Sequence, residues 1–279
     1  MEARKAKHGW IWTTLFSVIS VAWVFPIFLV VLNSFKKKVY ISKKPFAIPT
    51  GKMFVGLENY VNGINKTGLI SAFGWSVFIT VFSVAAIILF CSMTAWYITR
   101  VKSKVTSTIY YLCLFSMIVP FQMVMYTLSK IANMLKLGNP VGIIVVYLGF
   151  GAGLSVFMFT GFCKSIPIEI EEAAMIDGCN PLQTFFKVVM PIMKPTCITV
   201  TILQAMWIWN DYLLPSLVLD QKKYKTIPIA VQYLKGGYGS VDMGAMMGVL
   251  VIAIVPIIIF YIACQRYIIE GVVAGAVKG

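Results

Sequence analysis

Six apolar runs, each nearly free of charged side chains, dominate this chain and restrict what it can fold into. Each run has the roughly 20 residues that a helix needs to cross a bilayer, more than a globular core helix requires. In lipid, the backbone N–H and C=O groups must pair within the segment, so such runs form helices. With 59% hydrophobic and only 12% charged residues, a soluble domain is excluded. We predict an all-α integral membrane protein with six transmembrane helices.

The predicted boundaries follow from the positions of the charged residues. The spans are approximately 10–32, 72–98, 105–129, 140–163, 196–219 and 243–265. They belong to one transmembrane domain over 10–266, flanked by tails at 1–9 and 267–279, with a long polar loop at 33–71. The first span is predicted to be retained, because it is long and lacks a small-residue cleavage site.

A polar stretch at 165–191 interrupts the apolar pattern between the fourth and fifth spans. Pro167 suits the first turn of a helix, and Gly178 can adopt the left-handed conformation that ends one. Asn180 can cap a second helix, with Gln183 placed to complete a capping box. Pro191 is predicted to end that second helix. The stretch therefore predicts a helical hairpin.

The side chains of this hairpin suggest a docking element. It carries four of the ten carboxylates, namely Glu169, Glu171, Glu172 and Asp177. Helical spacing places Glu172 on one face of the first helix, and Ala173, Ala174 and Asp177 on the other. On the second helix, one apolar face is predicted from Leu182, Phe185, Phe186 and Val189. Acidic tips with apolar sides suit a groove on another protein, and a solvated loop is the alternative.

Small residues predict where helices approach closely. The segments Gly149–Gly153 and Gly244–Gly248 each place glycines on one helix face within an apolar span. Small side chains let neighbouring backbones pack tightly in lipid. A nucleotide loop at Gly149–Gly153 is disfavoured, since it has no lysine and lies in a span.

Composition excludes several functions. The net charge of +14 is scattered over loops, so anionic lipid is a better partner than nucleic acid. His8 is the only histidine, which leaves no catalytic triad, and the six cysteines form no CxxC metal or redox motif. No Gly-x-x-x-x-Gly-Lys-Ser/Thr motif is present, so this chain cannot hold ATP phosphates in a P-loop. We predict that it is not an enzyme, with no catalytic or metal-binding residues.

Charge does not decide the orientation. Six spans place both termini on one side, with eleven Lys and Arg residues there and thirteen on the other side. The positive-inside rule is therefore undecided.

The hairpin also contains a family motif. Glu172-Ala173-Ala174, then Gly178, then Val188, Met190 and Pro191 have the spacing of the EAA motif and resemble the permease subunits of bacterial ATP-binding-cassette importers. Val188 and Met190 stand where that motif has Ile and Leu. Further stretches resemble the second permease of maltose-type, multiple-sugar importers: Phe25–Lys36, Gly56–Tyr60, Trp209–Pro215 and Gly271–Gly279.

The resemblance implies a type I importer permease fold in the bacterial cytoplasmic membrane, importing a sugar or oligosaccharide. It implies a cytoplasmic hairpin and cytoplasmic termini, which makes loop 33–71 extracytoplasmic. The implied partners are a homologous permease, two copies of an ATPase that binds ATP and Mg, and an extracytoplasmic sugar-binding protein. The residues implied to couple to the ATPase are Glu172, Ala173, Ala174, Asp177, Gly178 and Pro191.

The predicted substrate pathway lies on the fifth span. Aromatic faces and polar hydrogen-bonding groups of the kind that bind sugars are supplied by Gln204, Trp207, Asn210, Asp211 and Tyr212. Interhelical packing is the alternative for each. Three other functions stay open: an ion-coupled secondary transporter with Asp211 as the coupling acid, a permease for a non-sugar solute, and a receptor or scaffold using loop 33–71.

Overall fold

The chain is almost entirely helical. The computed structural model describes residues 9–234 and 241–276, which form α-helices, one 3-10 turn at Gly51–Met53 and one π-helical turn at Phe185–Val189. The helices are α1 (Gly9–Ser34), α2 (Lys38–Lys43), α3 (Glu58–Thr67), α4 (Leu69–Arg100), α5 (Lys104–Ile118), α6 (Phe121–Met134), α7 (Pro140–Cys163), α8 (Ile168–Ile176), α9 (Pro181–Thr184), α10 (Met190–Ile192), α11 (Lys194–Asn210), α12 (Leu213–Val218), α13 (Ile227–Gln232) and α14 (Met243–Ala276).

The longest of these helices are candidate membrane crossings. Four contain segments that are long and apolar enough to span a bilayer: α1, α4, α7 and, over Met243–Tyr267, α14. Two bent pairs raise the number to six if each pair is one span. The predicted all-α membrane fold is confirmed. The tails at 1–8 and 277–279 lie outside the described residues.

The predicted third span is bent. Residues 105–129 were predicted as one helix, but they divide between α5 and α6, and the chain bends by 110° between these two helices. Pro120 lies at the break in an extended conformation, with φ −61° and ψ 134°. Proline lacks the N–H that would continue the helix, and it disfavours helical geometry in the preceding residue. Pro256, by contrast, is accommodated inside α14.

The predicted fifth span, 196–219, is also interrupted. Helix α11 ends at Asn210, and α12 begins only at Leu213 because Asp211 is extended. Before α11, the chain bends by 76° between Pro181–Ile192 and Lys194–Asn210. The helix predicted to end at Pro191 continues to Ile192, since proline is tolerated in the first turn of a short helix.

One of two compact units comprises the described residues of 9–69 with Ala230–Pro256. Its tightest packing joins α3 to the start of α14, where a Cβ on Gly244 would overlap the Asn59 amide and one on Gly248 would lie 3.1 Å from the Asn59 backbone. The Asn59 amide donates to the carbonyls of Ser34 and Lys36 at 2.7 and 2.8 Å. The close approach predicted for Gly244–Gly248 is confirmed.

A buried lysine stabilises the loop that follows α1. The Lys36 ammonium is fully buried and donates to Asn33 Oδ1 and to the carbonyls of Lys44 and Pro45 at 2.9–3.0 Å. These neutral oxygens use its three donors. Burial lowers the pKa of Lys36.

The second unit, Ile70–Ile229 with the chain from Ile257 onward, contains the larger core. A Cβ on Gly151 would lie 2.6 Å from Ile87 Cδ1, and one on Gly153 would lie 2.8 Å from the Cys113 carbonyl oxygen. Helices α4 and α5 therefore pack closely on α7, as Gly149–Gly153 predicts, although Gly149 itself faces open space. In lipid, such packing contacts hold helices together where hydrophobic burial cannot.

Candidate functional site

The hairpin between α7 and α11 has the predicted turn. Helix α8 follows Pro167, and Gly178 adopts φ +86°, a conformation that favours glycine. Asn180 Oδ1 accepts a hydrogen bond from the Gln183 N–H at 2.9 Å, and Gln183 Oε1 accepts one from the Asn180 N–H at 2.9 Å. The predicted capping box is confirmed, and it sets the direction of the returning arm.

The returning arm differs from the prediction. A π-helical turn at Phe185–Val189 accommodates an extra residue, which rotates the apolar side chains relative to a regular helix. Phe185 and Val189 are fully buried, whereas Leu182 and Phe186 are 59% and 46% exposed. The single apolar face predicted for these four residues is therefore wrong. Two of them belong to the core and two to the outer surface of the hairpin.

Most of the residues predicted to couple to the ATPase lie on that outer surface. Five of the six are exposed, namely Glu172, Ala173, Asp177, Gly178 and Pro191, and the sixth, Ala174, is buried. Exposed apolar side chains surround them on both arms of the hairpin: Ile168, Ile170, Met175, Ile176, Leu182 and Phe186. Ile176, at the tip of α8, is 86% exposed. An exposed apolar surface that also carries acidic groups is typical of a protein-binding site.

A carboxylate that sequence analysis did not single out fastens the hairpin to α4. Glu171 is 3% exposed, and its Oε1 accepts from Arg100 Nε and Nη2 at 2.9 and 2.6 Å. Its Oε2 accepts from Trp96 Nε1 at 2.9 Å. Arg100 Nη2 also donates to the Ile166 carbonyl at 2.9 Å. Helical spacing was the sequence signal for this burial: Glu171 precedes Ala174 by one turn, so the two residues share the face of α8 that packs against the protein.

The aromatic ring of Trp96 gives this attachment an apolar part. It packs against Phe185 with the ring centroids 5.4 Å apart, so α4 contacts both arms of the hairpin. Phe185 and Met193 are fully buried beside the start of α11. A buried ion pair and an aromatic contact therefore attach the hairpin to α4.

Two of the predicted pathway residues, Gln204 and Asp211, form hydrogen bonds that hold neighbouring segments in place. Gln204 is 2% exposed, and its Nε2 donates to Ser155 Oγ at 3.0 Å and to the Gly151 carbonyl at 3.3 Å. Asp211 Oδ1 accepts from the Leu213 N–H at 2.9 Å, which caps α12. Its Oδ2 accepts from the Tyr147 hydroxyl at 3.1 Å.

The other three pathway residues are more accessible. Trp207 is 40% exposed and meets the Tyr147 ring edge-on at 5.4 Å, so it lies near Asp211. Tyr212 is 42% exposed, and Asn210 is exposed with its Nδ2 bonded to the Met206 carbonyl. Within 9–234 and 241–276, no three His, Cys, Asp or Glu side chains come together as a metal site.

Comparisons with known proteins agree on one family. Residues 88–273 match the family described as binding-protein-dependent transport system inner membrane component. The probable starch degradation products transport system permease protein AmyC of Thermoanaerobacterium thermosulfurigenes is 39% identical, over 95% of this chain and 96% of that protein. The multiple sugar-binding transport system permease protein MsmG of Streptococcus mutans is 33% identical over 99% of both chains.

A solved structure has the same fold. A crystal structure of a bacterial ABC transporter involved in the import of the acidic polysaccharide alginate contains a chain that superposes with a TM-score of 0.78. The alignment covers 96% of this chain and 99% of that one, at 21% identity.

Proposed function

Because the chain belongs to the family of binding-protein-dependent transport system inner membrane components, we propose that it is one membrane-spanning half of an ATP-driven importer for a sugar or oligosaccharide. Two relatives that match over nearly their whole length, at 39% and 33% identity, are named as permeases for starch degradation products and multiple sugars. The complete importer adds a homologous permease, two copies of an ATPase and an extracytoplasmic sugar-binding protein. ATP and Mg bind to the ATPase subunits.

The observation that carries this proposal is the exposed surface of the hairpin. Glu172 and Asp177 lie among apolar side chains, such as the 86% exposed Ile176, that the described chain leaves uncovered. We propose that this surface docks into a cleft of the ATPase, with Glu172 facing a basic residue. Ala173 and Gly178 permit close approach because they are small, while Ala174 packs inward and Pro191 lies at the far end of the returning arm.

The docking places the hairpin, and with it both termini, in the cytoplasm, and loop 33–71 outside the cell. Movement of the ATPase is transmitted because the hairpin is attached to α4 through Glu171 and Arg100 at 2.6 Å. The movement also reaches α11 through Met193, which is buried directly before the start of that helix. Rigid-body displacement of the hairpin then moves the spanning helices and alternates access to the pathway.

Reversing the charge of Glu172 tests the docking. In the complete importer reconstituted in liposomes, Glu172→Lys is expected to lower sugar-stimulated ATP hydrolysis by about 30-fold or more, because an unpaired charge at a buried interface costs roughly 2–5 kcal/mol. The chain itself still folds and inserts, since Glu172 makes no hydrogen bond or ion pair within the described chain. Glu169→Lys is the matched control, as Glu169 is an exposed acid on the same helix. Near-normal uptake by Glu172→Lys would exclude the docking role.

For the substrate pathway we propose Trp207, Asn210 and Tyr212 as the sugar contacts on this chain. Their side chains are accessible, and an aromatic face beside an amide suits a sugar ring. Gln204 and Asp211 instead position these residues, Gln204 by joining α11 to α7 and Asp211 by capping α12 and binding Tyr147.

A further inference from the structure

A basic pocket lies between the ends of three membrane helices and borders the hairpin surface at Ile168. The cavity has a volume of about 660 Å³ and is lined by the end of α4, the start of α5 and the end of α7. Arg100, Lys102 and Lys164 contribute positive charge. An adjoining groove shares Lys102 with the cavity and adds Lys104. We define these four cationic residues and the cavity as the basic pocket.

Three of the four cations of the basic pocket, Lys102, Lys104 and Lys164, have no carboxylate partner within the described chain. No Asp or Glu lines either cavity, and the one carboxylate that touches its cations is Glu171, which pairs with Arg100. Arg100 uses Nε and Nη2 for Glu171 and the Ile166 carbonyl, so Nη1 has no hydrogen-bond partner in residues 9–234 and 241–276. Lys164 lies over the Tyr110 ring, 5.8 Å from its centroid. These positive groups therefore favour an anion.

A buried hydroxyl without a hydrogen-bond partner belongs to the lining of the same cavity. Thr160 lines the pocket, is 2% exposed and has an Oγ1 that is buried without a hydrogen-bond partner among the described residues. Buried polar groups in folded proteins almost always have a partner. A phosphate oxygen would supply the missing acceptor, and the lysines would supply the charge.

The position of the pocket indicates which kind of molecule the anionic group belongs to. Arg100 ends α4, and Lys104 begins α5, which places the cations at the level where helices leave the bilayer. Farther along α5, the exposed side chains are apolar: Leu112, Phe115 and Ile118 are 62%, 61% and 76% exposed. A headgroup in the pocket would have its acyl chains beside this apolar helix. We propose that the basic pocket binds the phosphate headgroup of an anionic phospholipid.

Lipid binding by the assembled importer tests this. Native mass spectrometry after extraction in mild detergent would count phosphatidylglycerol and phosphatidylcholine molecules bound. Wild type is expected to retain phosphatidylglycerol selectively. Lys102→Gln with Lys164→Gln is expected to weaken that binding by about 25-fold, since each basic residue at an anionic surface contributes about fivefold. The pair Lys130→Gln and Lys194→Gln removes the same charge from exposed positions elsewhere and should bind as wild type does.

Thr160→Val provides a second test that does not depend on charge. Without lipid, the variant should unfold at the same or a higher temperature, because an unpaired buried hydroxyl is replaced by a methyl group. It should also show a smaller rise in unfolding temperature when phosphatidylglycerol is added. Equal binding of phosphatidylglycerol and phosphatidylcholine would overturn the proposal. So would a rise in the unfolding temperature of Thr160→Val as large as that of the wild type. If inorganic phosphate alone gave the full rise, the ligand would be soluble phosphate and the lipid assignment would be wrong.

Discussion

Glu171 and Glu172 are adjacent in the chain, but they lie in different surroundings. Successive helical residues are rotated by about 100°, so one carboxylate of α8 can face the protein while the next faces outward. Glu171 is buried between Arg100 and Trp96, and Glu172 is exposed on the hairpin surface. The family motif includes Glu172. The residue that attaches the hairpin to the membrane helices is its neighbour.

Replacing each acid with alanine separates these roles. Glu171→Ala leaves Arg100, whose side chain is only 18% exposed, without a counterion, so we expect the free energy of unfolding to fall by about 2–4 kcal/mol. Glu172→Ala should change it by less than about 0.5 kcal/mol, as surface substitutions usually do. Thermal unfolding of the purified chain in one detergent measures both. Equal losses of stability would contradict the assignment of Glu171 as the attachment.

At the scale of elements, bends and close packing position the hairpin. The 110° bend between α5 and α6 means that this crossing is not one straight helix, and the 76° bend before α11 separates the returning arm of the hairpin from the helix that follows it. Helix α7 packs against both α4 and α5, and Gly151 and Gly153 allow their close approach. A Cβ on Gly153 would press on the backbone of α5, whereas one on Gly149, one turn earlier, would meet no neighbouring atom within 4 Å.

These two glycines give a matched pair of substitutions. Gly153→Ala places a Cβ 2.8 Å from the Cys113 carbonyl oxygen, so α5 must shift, and we expect a loss of about 1–3 kcal/mol in stability. Gly149→Ala adds the same methyl group to open space and should be neutral or stabilising by up to about 1 kcal/mol, because alanine favours a helix. Unfolding temperatures in detergent report both changes. Equal destabilisation by the two variants would show that the glycines matter for helix conformation rather than for packing.

At the scale of the whole molecule, the described chain leaves large surfaces for partners and lipid. The membrane-spanning part of α1 has no buried residue, and the hairpin surface is uncovered. Both features agree with a subunit that works inside a larger assembly. The energy for transport is then expected from the ATPase, and Asp211, bonded to Tyr147 and to the start of α12, has a structural role.

Reconstitution distinguishes an ATP-driven importer from a proton-coupled carrier. The chain alone in liposomes with a proton gradient is expected to accumulate no sugar, while the complete importer accumulates it only with ATP. Asp211→Asn in the complete importer should keep at least about half of the uptake, because asparagine retains the Oδ1 acceptor that caps α12. Tyr147→Phe is the control, since it removes the same contact but keeps the carboxylate. Gradient-driven uptake by the chain alone, abolished by Asp211→Asn, would establish the secondary transporter instead.

Sequence alone determined the features that depend on local chemistry. Apolar runs predict membrane helices because lipid offers no partner for the backbone, and Gly178, Asn180 and Gln183 predict the turn because their preferences act over a few residues. Tertiary structure alone decided the π-helical turn at Phe185–Val189, the burial of Glu171, and which proline breaks a span, since Pro120 lies at a 110° bend whereas Pro256 stays inside α14. Each of these depends on which neighbour packs against the residue. Arg100 lies 71 positions before Glu171, so their contact exists only once α4 and the hairpin are folded together.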